Sequence, residues 1–164
     1  MPTPLESIES ASLKALLAYL NSETGFTWRT TNSPPAVGEI LGTVSFFTQN
    51  SPLTLAGEIG EQRLYLALDA YGPQSIEFQC LILDWVAAIQ DLMTTAGGRG
   101  IPGTYRGQAV QLLKGAKPSG SPFRIVEAQV EPSNMSGSET LALYKARLIY
   151  DTPILRERFS PFTT

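Results

Sequence analysis

The stretch RLYLALDAYGPQSIEFQCLILDW, Arg63 to Trp85, constrains the fold more than any other part of the chain. Leu64, Leu66 and Leu68 alternate with Arg63, Tyr65, Ala67 and Asp69, which is the period of a strand burying one face. Pro73 has no N–H to offer a ladder, so it stops that strand and presets the first turn of a helix, while Gly72 gives the backbone freedom to reverse direction. The helix is expected from about Gln74 to Thr95. On a helical wheel Glu77, Asp84, Ala88, Asp91 and Thr95 form one narrow stripe between two apolar flanks. Phe78, Leu81, Ile82, Trp85 and Ile89 make one flank; Ile76, Cys80, Leu83 and Ala87 make the other. A helix on a single sheet needs only one of them. The second is left for the first helix of the same subunit or for a neighbouring subunit, and Leu83 and Trp85 are both expected to be core.

Elsewhere the pattern is of short elements. Thr3, Pro4 and Glu6 read as a helix start, and Leu5, Leu13, Leu16, Leu17, Tyr19 and Leu20 share one arc, which predicts an amphipathic helix from about Pro4 to Asn21. FTWRT and EILGTVSFFT are strand candidates separated by the breaker NSPPAVG, and a loop is expected from Asn50 to Gly60. Gly97 to Gly120 is rich in glycine and proline around a short strand at AVQLLK. FRIVEAQVEP and TLALYKARLIYDTP read as an antiparallel hairpin across SNMSGSE. These elements imply an α/β (α+β) fold: a mixed, mainly antiparallel sheet flanked by two main helices, with a protruding hairpin or loop. Residues 1–153 are read as a single domain and 154–164 as an extended C-terminal arm, because PILRERFSPFTT has neither a helical nor a strand period.

Composition narrows the chemistry. With 164 residues, 43% of them hydrophobic, one core suffices. The longest apolar run, Cys80 to Ile89, contains Asp84 and falls short of the roughly 20 residues that span a bilayer, and MPTPLESIES lacks the marks of a signal peptide. No membrane association is expected, and the protein is expected to be made in a cytoplasm. There is one cysteine and no histidine, which excludes an internal disulfide, a serine or cysteine triad and the usual zinc and haem arrangements. GRGIPG, Gly98 to Gly103, follows a helix instead of preceding one, so it is read as a flexible loop and not a dinucleotide site. Neither cofactor nor metal is expected, and no enzymatic activity.

The net charge of −3 conceals two unlike halves. Residues 1–96 hold ten acids and three bases, whereas residues 97–164 hold five acids and nine bases. Between Gly97 and Val126 there are five bases and no acid. Such a division suits a head-to-tail contact, in which two different patches meet, better than a two-fold dimer. The candidate pairings are Arg99 and Arg106 with Glu58, Glu61 or Asp91 of the next subunit, with Tyr105 beside them. In the tail, Phe159 and Phe162 lie beside Arg156 and Arg158, which marks it as an arm for a neighbouring subunit or another assembly component.

The segment RLYLALDAYGPQSIEFQCLILDWVAAIQDL, with ALYKARLIYDTP and the helix at Leu5 to Leu20, resembles the tail terminator, or tail completion, proteins of tailed bacteriophages. The resemblance covers about half the chain and leaves Gly97 to Pro122 unmatched. It implies a structural virion protein: a ring, typically hexameric, that caps the head-proximal end of the tail tube, ends tail polymerisation and receives the neck. The implied partners are further copies of the chain, the tail tube protein, a neck or connector protein and, in a contractile tail, the sheath, with DNA passing through the lumen without specific binding. Two other readings stand beside it, another phage neck or head-tail connector protein and a small non-phage binding module or enzyme.

Overall fold

The computed structural model describes residues 3–31, 34–49, 59–119, 124–132, 140–155 and 162–163. The chain opens with a two-residue strand β1 (Thr3–Pro4) before helix α1 (Ile8–Thr24). The expected start at Pro4 is thus four residues early. Ser7 is the cap: its hydroxyl accepts the Ser10 N–H at 3.1 Å, so one otherwise unpaired amide of the first turn is satisfied. Gly25, left-handed at φ 77°, ends the helix and returns its N–H to the Asn21 carbonyl.

Strands β2 (Trp28–Arg29), β3 (Ile40–Gln49) and β4 (Ile59–Pro73) follow, then helix α2 (Ile76–Arg99). Ile59 and Gly60, expected in a loop, belong to β4; residues 50–58 of that loop lie outside the described residues. The second helix also begins later than expected and runs four residues further. Pro73 is the last residue of the strand, and Ser75, accepting from Phe78 N–H at 3.2 Å, is the cap. Gly72 does not turn the chain with a positive φ. It is glycine because the Phe78 ring lies against it, where an added Cβ would stand 2.5 Å from the ring.

After α2 come β5 (Ile101–Tyr105) and β6 (Gln108–Leu112), then β7 (Lys117–Pro118), β8 (Arg124–Pro132), β9 (Thr140–Leu155) and β10 (Phe162–Thr163). GRGIPG is therefore no flexible loop. It holds the end of α2, the capping Gly100 at φ 81° and the start of β5. Arg106 and Gly107, at φ 50° and 80°, close the β5–β6 hairpin as a two-residue turn whose positive dihedrals match the twist of the strands.

Among the described residues the main sheet has six strands. It runs β2-β3-β4-β9, with β7 and β8 both pairing the outer edge of β9; only the β2–β3 pair is parallel. This is the expected mixed, mainly antiparallel sheet with two helices. Along β4 the residues Leu64, Leu66, Leu68 and Ala70 stand opposite Tyr150, Leu148, Ala146 and Tyr144 of β9, all of them buried. Both helices pack on that row: Ala11, Ala15, Leu16 and Leu20 from α1, and Ile82, Val86, Ile89 and Met93 from α2. Phe26 joins the layers, stacked on Trp28 and edge-on to Trp85 with centroids 5.5 and 5.0 Å away. Trp28 is in turn fixed to α1, its indole N–H donating to Thr24 Oγ1 at 2.9 Å.

The two chain ends also meet. β1 and β10 pair antiparallel, Thr3 with Thr163 and Pro4 with Phe162. The tail, expected as an arm reaching outward, thus has at least its Phe162–Thr163 backbone paired within the same chain.

Candidate assembly surfaces

The surface that departs most from an ordinary exterior is the outer side of α2. Its inner flank is buried as expected at Ile82 and Ile89 and half-buried at Phe78 and Trp85, but Leu81 is 44% exposed. The other flank is open. Ile76 is 72% and Leu83 46% exposed, with Cys80 and Ala87 exposed beside them, so this flank does not meet α1 and Leu83 is not core. The reason is geometric: the sheet accepts the side of α2 carrying Ile82, Val86, Ile89 and Met93, and α1 packs against β5 and the sheet instead of crossing α2. Glu77, Asp84 and Asp91 are exposed on the neighbouring stripe, so an apolar strip is edged by carboxylates.

A second open surface is the outer edge of β3. β2 pairs only with Gly42 and Thr43, so Val44 to Gln49 carries no strand on that side among the described residues. Unpaired strand edges are templates for another chain.

The described charged candidates sit on α2, on β4 and at the β5–β6 turn. Arg99 is exposed in the last turn of α2, where a cation suits the carbonyl end of the helix dipole. Arg106 is already engaged within its own chain: its backbone N–H donates to Glu6 Oε1 at 3.0 Å and its Nε to the Glu6 carbonyl at 3.2 Å. Its guanidinium carbon lies 5.1 Å from the centre of the half-buried Tyr105 ring. The Arg106 amide, followed by the Lys14 ammonium at 3.2 Å, holds the Glu6 carboxyl below its ordinary range. Asp91 is exposed on α2, and Glu61 sits on β4 between Gln49 and Pro153. Glu58, Arg156, Arg158 and Phe159 lie outside the described residues, and Phe162 is in β10. Of the described candidates, the structure brings Tyr105 and Arg106 together at the β5–β6 turn.

Two features were not singled out from sequence. On the sheet face away from the core row, Arg63 Nε meets Asp151 Oδ1 at 3.0 Å across β4 and β9. Asp69 on the same face is buried, opposite Lys145; burial raises its pKa, and Lys145 and Arg147 pull it partly back. Alternation alone marks Asp69 as an outward position, so only the cross-strand register reveals its cationic neighbours. Among the described residues, no group of histidine, cysteine, aspartate or glutamate could hold a metal ion, and no helix is long and apolar enough to cross a membrane. No family model matches the chain, and no curated protein matches it.

Proposed function

We propose that this chain is a structural protein of a phage tail, a tail terminator whose copies close head to tail into a ring, hexameric in the reading that the resemblance supports. The ring caps the head-proximal end of the tail tube, stops its growth and offers its other face to the neck or connector, with DNA passing through the lumen. The observation that carries this reading is the open flank of α2. Two large apolar side chains, Ile76 and Leu83, face outward there beside the exposed Cys80 and Ala87, on a helix otherwise seated by its inner side, and Leu81 is exposed across the acidic stripe. Clustered exposed apolar surface marks an interaction site. Its edge of Glu77, Asp84 and Asp91 suits a partner surface carrying bases, and Arg99, Lys114 and Lys117 are exposed elsewhere on the chain. A contact between unlike patches propagates around a ring, whereas a self-complementary one stops at two copies. The edge of β3 that carries no strand among the described residues supports the same reading, since strand addition would extend the sheet between subunits.

The test is light scattering coupled to size exclusion, together with electron microscopy of the protein alone, with tail tube protein and on tails. Closed rings, or density at the head-proximal end of tails, are the expected outcome. A symmetric dimer at every concentration, with no tail density, refutes the ring and the terminator together.

A further inference from the structure

The buried row of the central ladder ends in two polar residues. Beyond Leu64 and Tyr150 the next inward-facing pair is Gln62 and Thr152, directly opposite each other on β4 and β9. Each is 1% exposed, and Gln62 Nε2 and Thr152 Oγ1 have no hydrogen-bond partner among the described residues. A buried polar group left unsatisfied costs about 1–3 kcal/mol, so two adjacent ones at the end of a leucine row call for a physical reason. Both line a cavity of about 290 Å³ between α1, the β5–β6 hairpin and the ends of β4 and β9. Its walls include Ile8, Val110 and Leu112, and the exposed Lys114 stands at its rim.

We propose that this cavity is a binding site for a carboxylate on a short aliphatic stem. Among its polar groups the Gln62 carboxamide N–H and the Lys114 ammonium are donors only, and the Thr152 hydroxyl can donate as well as accept. Among the described residues no acidic side chain lines it. The unpaired Gln62 N–H and a cationic rim with no described carboxylate beside them favour a group that brings acceptors, and a carboxylate brings two oxygens able to take charge-assisted hydrogen bonds. The aliphatic walls set the rest of the ligand. At about 30 Å³ per water-sized group, the volume holds roughly ten such groups, enough for a carboxylate with a stem of several carbons. The hairpin that forms one wall is fixed to the segment leading into α1 by the Arg106–Glu6 contacts, so the cavity is framed by parts already tied to one another. This site is independent of the ring: α2 contributes nothing to its lining. The same chemistry could arrive as a free carboxylate or as a glutamate side chain of a polypeptide.

Nitrogen-15 NMR of the intact chain separates these sources. Hexanoate and a capped tripeptide with a central glutamate are titrated in parallel, with hexan-1-amine as the control of opposite charge. The expected result is a saturable shift of the Gln62 side-chain amide by one of the two carboxylates and none by the amine. A response to hexanoate identifies a small-molecule site; a response to the peptide alone identifies a site for a polypeptide carboxylate. The double variant Gln62→Leu/Thr152→Val replaces both orphaned groups with apolar ones and, followed in both proteins through the backbone amides of Val110 and Leu112 in the cavity wall, should weaken the responding probe about tenfold or more, the scale of lost charge-assisted hydrogen bonds. If that variant does not fold, Lys114→Ala, at an exposed position, supplies the comparison by weakening the same probe. Neither carboxylate shifting the amide at about 10 mM, a concentration that would reveal even millimolar affinity, shows that only water satisfies the pair and overturns the proposal. Equal binding by wild type and variant overturns it as well.

Discussion

At Gly72 one missing Cβ decides how β4 passes into α2. The Phe78 ring, 5.7 Å from the Tyr144 ring by centroid, occupies the space that any side chain at position 72 would need. Gly72→Ala is therefore expected to destabilise by about 1–3 kcal/mol, the range for overpacking. Urea denaturation measures it, and Phe78→Leu in the same chain should recover part of the loss, because the two substitutions share one contact. Glu6 sets a second residue-scale expectation. Its folded pKa lies below the ordinary value of 4.5, so its contribution is complete above that pH and disappears as pH falls through the lower folded value. Glu6→Gln should lose about 1 kcal/mol at pH 7, a value held down by partial exposure, and should flatten the acid limb of the stability profile. Equal acid sensitivity in variant and wild type would show that the Arg106 contact does not hold the hairpin.

Helix α2 divides into a seated side and an open side, and substitutions on the two should behave differently. Ile89→Ala removes a fully buried side chain beneath the sheet's leucine row and should lose about 2–5 kcal/mol. Leu83→Ala, despite the same apolar chemistry, should change monomer stability by less than about 0.5 kcal/mol, as surface positions do. Chemical denaturation at a concentration below assembly compares them. The helix itself was legible in sequence through its 3.6-residue period, and the long strands through alternation. Which flank faces the sheet was not, because both flanks are apolar and only tertiary contact chooses between them. Element starts were misplaced where two caps compete: Thr3 and Ser7 both precede helical residues, and the β1–β10 pairing takes Thr3 into a strand. The second strand of the β5–β6 hairpin was legible at AVQLLK, but its turn was hidden because Arg106 is an unusual residue for a left-handed turn position. Gln62 and Thr152 were out of reach for a different reason, since their proximity is a matter of register between strands far apart in sequence.

For the whole molecule, the ring reading makes Leu83→Glu the informative variant. It places a charge on the open flank without touching the core, so the monomer should remain folded while assembly weakens about tenfold or more, about 1.4 kcal/mol. Sedimentation at several salt concentrations should also show wild-type assembly falling as salt rises, modestly, because exposed ion pairs contribute about 0–1 kcal/mol each. Assembly unaffected by Leu83→Glu would remove α2 from the interface. A different consequence follows from the ladder between β4 and β9. Arg63 and Asp151, which meet across it, are 88 positions apart, and the α2 helix and the β5–β6 hairpin both lie in the intervening chain. Closing that loop must precede most of the reward from burying the leucine row, so the chain should refold in milliseconds to seconds, as non-local β topologies do. In stopped-flow refolding, Leu66→Ala and Leu148→Ala should slow the forward rate, while changes in the hairpin should act mainly on unfolding. The strands that hold the subunit together are thus its kinetic bottleneck, and until they join, the edge of β3 and both faces of α2 are open to the wrong partners.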